Sequence, residues 1–258
     1  MEYIKTGITG KVFKIILNRP EKYNSFIREM ALQMQQALDQ AAEDKNVRCI
    51  YITGEGKAFH AGQDLAEALD PQGPGLKNIV LEHYNPIITR IREIEKPVVC
   101  AVNGAAAGAG ANIALACDVV IAASSAYFVQ AFSRIGLIPD SGGTFFLPRL
   151  VGFGKASALM MLGDKVPAQE ALQMGMIYKV YDDARLQEEA LAIAATLSEM
   201  PTKGIGLTKR LLNKSMTNPL AEQLVQEGIE QVNAADSYDY REGVKAFLEK
   251  RKPVFRGE

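Results

Sequence analysis

The amino-acid sequence predicts an α/β fold that is followed by a helical C-terminal region. Apolar runs typical of buried strands alternate with helical patterns as far as Ala122, and this alternation is typical of α/β folds. Residues 104–111 are all glycine or alanine, which indicates that another group comes very close to the backbone there. After Arg185 the apolar residues recur at helical spacing. We therefore predict a core over 1–195 and a helical oligomerisation region over 196–258.

In the first part of the chain, prolines, glycines and capping residues separate the predicted elements. Pro20 breaks an apolar strand, and Asn24 or Ser25 can cap the helix that follows. Pro97 ends a later helix. A segment with two prolines and two glycines is interpreted as a mobile loop or lid. The predicted elements are a strand over 12–17, a helix over 26–45, a strand over 49–53, a strand-to-helix turn over 57–65, the loop over 66–76 and a helix over 79–95.

The remaining elements surround the glycine- and alanine-rich segment and then become wholly helical. The pattern predicts strands over 98–102, 118–122 and 177–180 and helices over 145–162 and 167–174. Three apolar stripes follow, and no later strand is predicted to cover them. They either pack back on the core or cover another subunit. The stripes are Ala190, Ile193, Ala194 and Leu197; Leu220, Leu224, Val225, Ile229 and Val232; and Val244, Phe247 and Leu248.

The composition argues against several classes of protein. Among 258 residues, 29 lysines and arginines nearly balance 30 acidic residues, so the charge gives no reason to expect a nucleic acid or a membrane as partner. Cys49, Cys100 and Cys117 lie in apolar runs, and an odd number of such thiols suits a reducing compartment. The sequence shows neither a signal peptide nor an apolar run of about 20 residues. We therefore expect a cytoplasmic protein.

The candidate site is a cleft lined by hydrogen-bond donors and containing one carboxylate. A helix that starts within residues 104–111 aims unpaired backbone N–H groups at whatever lies before it. The turn Ile-Pro-Asp-Ser-Gly-Gly over 138–143 presents Asp140 to the same space. Each feature also has a purely structural interpretation, because small residues allow close helix–strand packing and aspartate is common in Asx turns.

Several segments, in order and at matching spacing, resemble the crotonase (enoyl-CoA hydratase/isomerase) superfamily, and the likeness covers nearly the whole chain. Within the superfamily, residues 136–144 and 239–243 are most similar to isomerases that rearrange ring-1,2-epoxyphenylacetyl-CoA in bacterial phenylacetate breakdown. The segments that carry the resemblance are Leu-Asn-Arg-Pro at 17–20, Ala-Gly-Gln-Asp-Leu at 61–65, the stretch from Asn103 through Asn112, Ile-Pro-Asp-Ser-Gly-Gly-Thr at 138–144 and the basic end at 247–252.

The resemblance implies a spiral of strand–strand–helix turns and a homotrimer or dimer of trimers. It also implies an acyl-CoA thioester as substrate and no separate cofactor. Carried over by position, the backbone N–H groups of Gln63 and Ala109 would form an oxyanion hole for the thioester carbonyl, and Asp140 would be the general acid/base. The implied substrate-binding residues are Lys22, Ala61, Asp64, Leu65, Gly108, Asn112 and Phe132, with Lys22 near the adenine.

Two departures from the family pattern favour isomerisation over hydration. Hydratases of the superfamily carry two glutamates that hold and deprotonate water, and the corresponding residues here are Asn112 and Phe132. Asparagine cannot act as a base, and phenylalanine excludes water. One remaining carboxylate suits a shuttle that removes a proton at one carbon and returns it at another. Asn112 either orients Asp140 or the substrate, or is a buried polar residue with satisfied hydrogen bonds.

The expected function is an acyl-CoA isomerase that shifts a 3-enoyl to a 2-enoyl thioester or rearranges a ring epoxide. The alternatives are an enoyl-CoA hydratase, an enzyme that uses Asp140 as a nucleophile, and a non-catalytic CoA- or RNA-binding homologue. His60 is interpreted as a packed residue that holds its turn, and His83 as a surface helix residue. No metal site is expected, because two distant histidines and the cysteine spacing do not suit zinc.

Overall fold

Two β-sheets lie at the centre of the protein, which a computed structural model describes for residues 2–258. The strands are β1 (Ile4–Thr9), β2 (Val12–Leu17), β3 (Cys49–Gly54), β4 (Ala58–His60), β5 (Val98–Val102), β6 (Ala105–Ala107), β7 (Val119–Ala123), β8 (Tyr127–Val129), β9 (Lys165–Pro167) and β10 (Lys179–Tyr181). The main sheet has the order β1-β2-β3-β5-β7-β10, and the smaller sheet has the order β4-β6-β8-β9.

The main sheet is parallel apart from its first strand. β1 and β2 form an antiparallel hairpin, whereas β2, β3, β5, β7 and β10 run parallel to their neighbours. Every residue of β3 and β5 is buried, as expected for parallel strands that are covered on both faces. The core of the protein therefore lies on the two sides of this sheet.

Helices connect the strands and cover the sheets. A π-helix (Ile79–Tyr84) joins α3 to α4, and two 3₁₀ helices span Pro20–Lys22 and Ala131–Ile135. The α-helices are α1 (Arg28–Glu43), α2 (Leu65–Leu69), α3 (Gly75–Asn78), α4 (Asn85–Glu93), α5 (Ala109–Leu115), α6 (Gly143–Val151), α7 (Phe153–Leu162), α8 (Ala168–Gln173), α9 (Leu186–Ser198), α10 (Thr202–Ser215), α11 (Leu220–Ala235) and α12 (Tyr238–Leu248).

Successive pairs of strands give the chain a spiral course. β3 leads into β4, β5 into β6 and β7 into β8, and in each pair the first strand joins the main sheet and the second joins the smaller sheet. Helices follow each pair before the next pair begins. The predicted spiral of strand–strand–helix turns is therefore confirmed. This course places the end of β4 beside β6 and the start of α5.

Several predicted boundaries need correction. The predicted loop over 66–76 contains α2, whose first turn is capped by the Asp64 carboxylate at 2.9 Å from the Ala66 nitrogen, and α3. The helix predicted over 79–95 begins as the π-helix, and the helix predicted over 145–162 is divided at Gly152, which has a φ of 82°. The strand predicted over 118–122 is β7, one residue later. The sequence pattern does not reveal β6, β8 and β9, because three residues are too few to show a period.

The C-terminal helices divide into two groups. α9 packs on β3 and β5, and its Ala190 and Ala194 are completely buried. In contrast, α11 and α12 leave large apolar side chains exposed, with Phe247 82% accessible. Packing on the core, one of the two outcomes that the sequence left open, therefore occurs for α9, while packing of α11 and α12 on another subunit stays a prediction. No helix within residues 2–258 combines the length and apolar character needed to cross a membrane.

Candidate active site

The first candidate donor, the N–H group of Gln63, lies just after β4. The N–H of Phe26 donates to the carbonyl of Gly62 at 2.8 Å, and the N–H of Asp64 donates to the carbonyl of Phe26 at 2.8 Å. These two hydrogen bonds form a short parallel bridge between Phe26 and Gln63, and they use the backbone groups on either side of Gln63. Within residues 2–258 the backbone N–H of Gln63 has no hydrogen-bond acceptor, so it remains available to a ligand.

The second candidate donor, the N–H group of Ala109, opens α5. As the first residue of that helix, Ala109 has no acceptor in the preceding turn, and none is found elsewhere in the described chain. A Cβ atom added to Gly62 would lie 3.8 Å from the Ala109 nitrogen and 3.1 Å from the Ala107 carbonyl oxygen. The segments that carry the two donors therefore run side by side, as an oxyanion hole requires.

Glycine and a buried histidine make this close approach possible. A Cβ atom on Gly110 would lie 2.1 Å from the carbonyl oxygen of His60, so only glycine lets α5 pack against β4. The His60 ring stacks on Phe26 at 4.1 Å, and its Nδ1 accepts a hydrogen bond from the Gly62 N–H at 3.2 Å. Burial lowers the pKa of His60 to about 3, which keeps the ring neutral. His60 thus holds its turn, as the sequence predicts.

Asp140, the candidate acid/base, lies in a tight turn before α6. The N–H of Gly143 donates to the Asp140 carbonyl at 2.8 Å, and the Ser141 hydroxyl donates to the Asp140 carboxylate at 2.9 Å. Burial raises the pKa of Asp140 above its ordinary value, although the hydrogen bond from Ser141 opposes this effect. A half-buried carboxylate of this kind binds a proton more readily than an exposed one.

Asn112 connects the Asp140 turn to α5. Its side-chain amide donates to the Asp140 backbone carbonyl at 2.8 Å, and its side-chain oxygen accepts from the Gln130 amide at 2.7 Å. Asn112 is completely buried, and both ends of its side chain have a partner. Asn112 lies one helical turn after Ala109, so α5 carries one candidate donor and anchors the turn of the candidate base.

Phe132 lies against the segment that presents the second donor. Its side chain is 7% exposed, and a Cβ atom on Gly108 would lie 3.5 Å from the tip of its ring. Gly108 has a φ of 54° and donates its N–H to the Val129 carbonyl at 2.9 Å. The wall of the site next to Ala109 is therefore hydrocarbon rather than a carboxylate.

The other predicted substrate-binding residues lie on one edge of the same site. Asp64 forms an ion pair with Arg19 at 2.7 Å, which together with hydrogen bonding lowers the pKa of Asp64 although desolvation opposes it. Ala61 is exposed and donates its N–H to the Tyr23 carbonyl at 3.1 Å, next to the exposed Lys22. Leu65 is 52% exposed. Among residues 2–258, histidine, cysteine and carboxylate side chains form no group that could hold a metal ion.

Sequence reasoning misplaced His83 and did not identify Tyr84, whereas Glu67 is an alternative candidate for the base already at the sequence level. His83, predicted on the surface, is completely buried in the π-helix. Tyr84 follows it and is also completely buried. Glu67 accepts hydrogen bonds from the Gln63 side-chain amide at 2.8 Å and the Arg28 backbone N–H at 2.9 Å, so a second carboxylate stands near the first donor. The feature that points to a functional role for this region is the π-helix, because π-helical turns are frequent at functional sites. The sequence pattern does not reveal it.

The chain is similar over its whole length to known acyl-CoA enzymes. The family model described as enoyl-CoA hydratase/isomerase matches residues 7–258. The 1,2-epoxyphenylacetyl-CoA isomerase of Escherichia coli (strain K12) is 48% identical, with 100% of both chains covered. A probable enoyl-CoA hydratase of Rhodobacter capsulatus is 44% identical over 98% of each chain.

A solved structure agrees with this relationship. The crystal structure of an enoyl-CoA hydratase from Bacillus anthracis has a TM-score of 0.92 and 34% identity, and covers 99% of this chain and 100% of that one. Its similarity includes the spiral core and the C-terminal helices. The chain therefore belongs to the enoyl-CoA hydratase/isomerase (crotonase) family.

Proposed function

We propose that this protein is an acyl-CoA isomerase that works through a thioester enolate. The N–H groups of Gln63 and Ala109 bind the thioester oxygen, and Asp140 moves the proton. The observation that carries this proposal is a pair of backbone donors that lie side by side and have no acceptor in the described part of the chain, with a half-buried carboxylate anchored to the same helix. Removal of a proton next to a thioester carbonyl needs both features, because the carboxylate takes the proton and the donors stabilise the enolate oxygen.

The donors solve the problem of a weak carbon acid. An α-proton of a thioester is too weakly acidic for a carboxylate unless the negative charge that develops on oxygen is stabilised. Fixed donors aimed at that oxygen supply the stabilisation, and loss of one such donor typically costs about 3–4 kcal/mol in enzymes that use an oxyanion hole. Asp140 then takes the proton from C2 and returns it to C4, which moves the double bond from C3 to C2.

The surroundings of Asn112 and Phe132 support isomerisation more than hydration. A hydratase has to hold a water molecule and take its proton. The Asn112 side chain is engaged at both ends and cannot accept a proton, and Phe132 presents hydrocarbon. Hydration remains the second candidate because relatives with hydratase names share 34–44% of their residues with this chain.

The name of the 48% identical relative suggests a narrower substrate. We infer that the substrate is a ring-1,2-epoxyphenylacetyl thioester of coenzyme A, as in bacterial phenylacetate breakdown, or a 3-enoyl thioester. In both, the first step is removal of a proton next to the thioester carbonyl, so the same three groups serve. The substrate contributes the coenzyme, and no further cofactor is needed for proton transfer.

The deciding experiment compares two activities on one chain length. A 3-enoyl-CoA should be converted to the conjugated 2-enoyl-CoA, while the 2-enoyl-CoA should add water far more slowly. The 3-hydroxyacyl product and the conjugated product are separated by chromatography. A hydration rate equal to the isomerisation rate, or above it, would favour the hydratase instead. Absence of activity on a tightly bound 3-enoyl-CoA and also on the ring-epoxide thioester would favour the non-catalytic alternative.

A further inference from the structure

The buried polar atoms without a hydrogen-bond partner are concentrated at the candidate active site. Five residues supply all such side-chain atoms within residues 2–258, namely His60, Gln63, His83, Tyr84 and Gln130. Gln130 bonds Asn112, His60 bonds the turn before Gln63, and His83 and Tyr84 end the π-helix. Buried polar groups normally find partners, so this concentration indicates a pocket that receives polar atoms of a ligand.

Tyr84 is the largest of these residues and is held firmly in place. Its ring stacks on Phe26 with a centroid distance of 5.8 Å and an interplanar angle of 10°. The backbone of Phe26 in turn pairs with that of Gln63 in the short parallel bridge. Tyr84 is completely buried, and its hydroxyl has no hydrogen-bond partner among residues 2–258. The Tyr84 ring is thus held by Phe26, the residue whose backbone pairs with the segment that carries the first oxyanion donor.

The hydroxyl of Tyr84 lies in the field of two carboxylates. Burial, followed by the charges of Asp140 and Glu67, raises the pKa of Tyr84 well above its ordinary value. The hydroxyl therefore keeps its proton and can act as a donor. A donor near Asp140 is suited to an acceptor on the acyl group, because the acyl group lies between the oxyanion hole and the base.

A second buried tyrosine shows what is unusual about Tyr84. Tyr51 is equally buried, but its hydroxyl bonds the side chain of Gln187. Leaving a buried donor without a partner destabilises a protein, whereas a ligand that supplies the missing acceptor gains affinity. An enzyme site built to bond a particular oxygen discriminates strongly against a ligand that lacks it.

We propose that the hydroxyl of Tyr84 is a specificity-determining donor that bonds an oxygen atom carried by the acyl group next to its reacting carbons. This inference rests on the proposed function for the position of the acyl group. The ether oxygen of a ring epoxide is an acceptor without a proton, so it complements a hydroxyl that donates. A purely hydrocarbon 3-enoyl chain leaves the hydroxyl unpartnered and binds without this contribution.

α2 begins two residues after Gln63, which carries the first oxyanion donor. This five-residue helix buries none of its residues, so few contacts oppose its displacement. The side-chain bond between Gln63 and Glu67 joins α2 to the donor strand at 2.8 Å, and Gln63 keeps an unpartnered buried oxygen. Because Tyr84 is completely buried and Glu67 of α2 is one of the two charges that act on its hydroxyl, the proposal requires these side chains to move when the acyl group binds.

The test uses two ligands that differ by a single atom. 2-Methoxyphenylacetyl-CoA carries an ether oxygen at the ring carbon next to the side chain, and 2-ethylphenylacetyl-CoA has a methylene group in its place. Calorimetric titration of the wild-type protein should show about tenfold tighter binding of the methoxy compound, the size expected for one hydrogen bond. In Tyr84→Phe the two affinities should become equal within about twofold.

Tyr51→Phe is the matched control, because it removes a buried hydroxyl that already has a partner. It should keep the wild-type preference for the methoxy compound while lowering the melting temperature. Tyr84→Phe should not lower the melting temperature. The proposal is overturned if Tyr84→Phe keeps the preference, or if the wild-type protein shows none. Because these are binding measurements, they can succeed even if no isomerase activity is found, and that activity can be present even if the preference is absent.

Discussion

The side-chain amide of Asn112 donates a hydrogen bond to the backbone carbonyl of Asp140 at 2.8 Å. The link joins α5, which begins at the candidate donor Ala109, to the turn that carries the candidate base. It acts on the main chain and leaves the Asp140 carboxylate free of Asn112. The Asn112 side chain therefore sets the position of the base relative to the oxyanion hole through the main chain of Asp140, and the carboxylate itself remains available for proton transfer.

The first prediction concerns Asp140→Asn, which keeps the shape of the side chain and removes the base. We expect kcat to fall by about 10²–10⁴-fold, the usual contribution of a general acid/base. The Kd for a CoA thioester should stay within a few-fold of the wild-type value, because backbone donors and the coenzyme channel provide the binding. Steady-state kinetics and calorimetry measure the two quantities. If kcat is retained, Glu67 becomes the first candidate for the base.

The same substitution should stabilise the folded protein at neutral pH. The pKa of Asp140 is raised by burial in the folded state, so folding favours the protonated form and stability is lost as the pH rises through the folded-state pKa. Asparagine has no charge to bury. The melting temperature of Asp140→Asn should exceed that of the wild-type protein at pH 7, and the difference should disappear as the pH falls below the ordinary aspartate pKa of about 3.9.

Asp183→Asn is the control with the opposite sign. Hydrogen bonds from Ser124 and Ser125 lower the pKa of Asp183, so its ionised form stabilises the folded state above the ordinary pKa and loses this effect on acidification. This variant should melt below the wild-type protein at pH 7. A pH-independent difference for either variant would contradict the linkage argument.

A third prediction compares two glycine-to-alanine substitutions. Gly110→Ala places a Cβ atom 2.1 Å from the His60 carbonyl oxygen, so β4 and α5 must separate. We expect a loss of about 2 kcal/mol or more in the free energy of unfolding, together with a loss of activity as the two donors move apart. Gly154→Ala in α7 meets no atom within 4 Å and should stabilise the protein by about 0.5–1 kcal/mol. Chemical denaturation measures both, and equal effects would argue against the close packing.

The sequence predicts those parts of the candidate site whose geometry depends on a local run of residues. Residues 104–111 have to be small because β4 and α5 nearly touch, and a Pro-Asp-Ser-Gly turn can present an aspartate in few ways. Five of the six main-sheet strands are equally predictable from their apolar runs, whereas β1, which alternates short polar and apolar residues, is not predicted. These features depend on neighbours in the chain, and the sequence shows neighbours directly.

Tyr84, His83 and Gln130 depend instead on contacts between distant segments. A π-helix inserts an extra residue into the helical turn, so the α-helical period assigns the wrong face to His83. Gln130 precedes a 3₁₀ helix and contacts Asn112 only through the fold. The short strands β6, β8 and β9 exist because neighbouring strands pair with them, which no local pattern reveals.

A fourth prediction is that the protein forms a trimer or a dimer of trimers. α11 and α12 expose apolar residues, and a groove of about 670 Å³ lies between them and α10. Exposed faces of this kind are usually covered in an assembly. Sedimentation should therefore give three or six times the chain mass of 28.1 kDa. Phe247→Glu should weaken the assembly if α12 takes part, and a wild-type monomer at micromolar concentration would contradict the prediction.

The last prediction tests whether one shielded carboxylate carries the proton between two carbons. Asp140 is half-buried, and hydrocarbon from Phe132 lines the site beside Ala109. A proton held by Asp140 between its removal from C2 and its return to C4 therefore exchanges slowly with water. In deuterated water, the 2-enoyl-CoA formed from a 3-enoyl-CoA should keep part of the substrate's own hydrogen at C4, as mass spectrometry can measure. Phe132→Ala opens the wall and should increase deuterium incorporation. Complete exchange in the wild-type protein would mean that the base equilibrates with solvent during each turnover, and the single-base shuttle would then need a second, water-connected group such as Glu67.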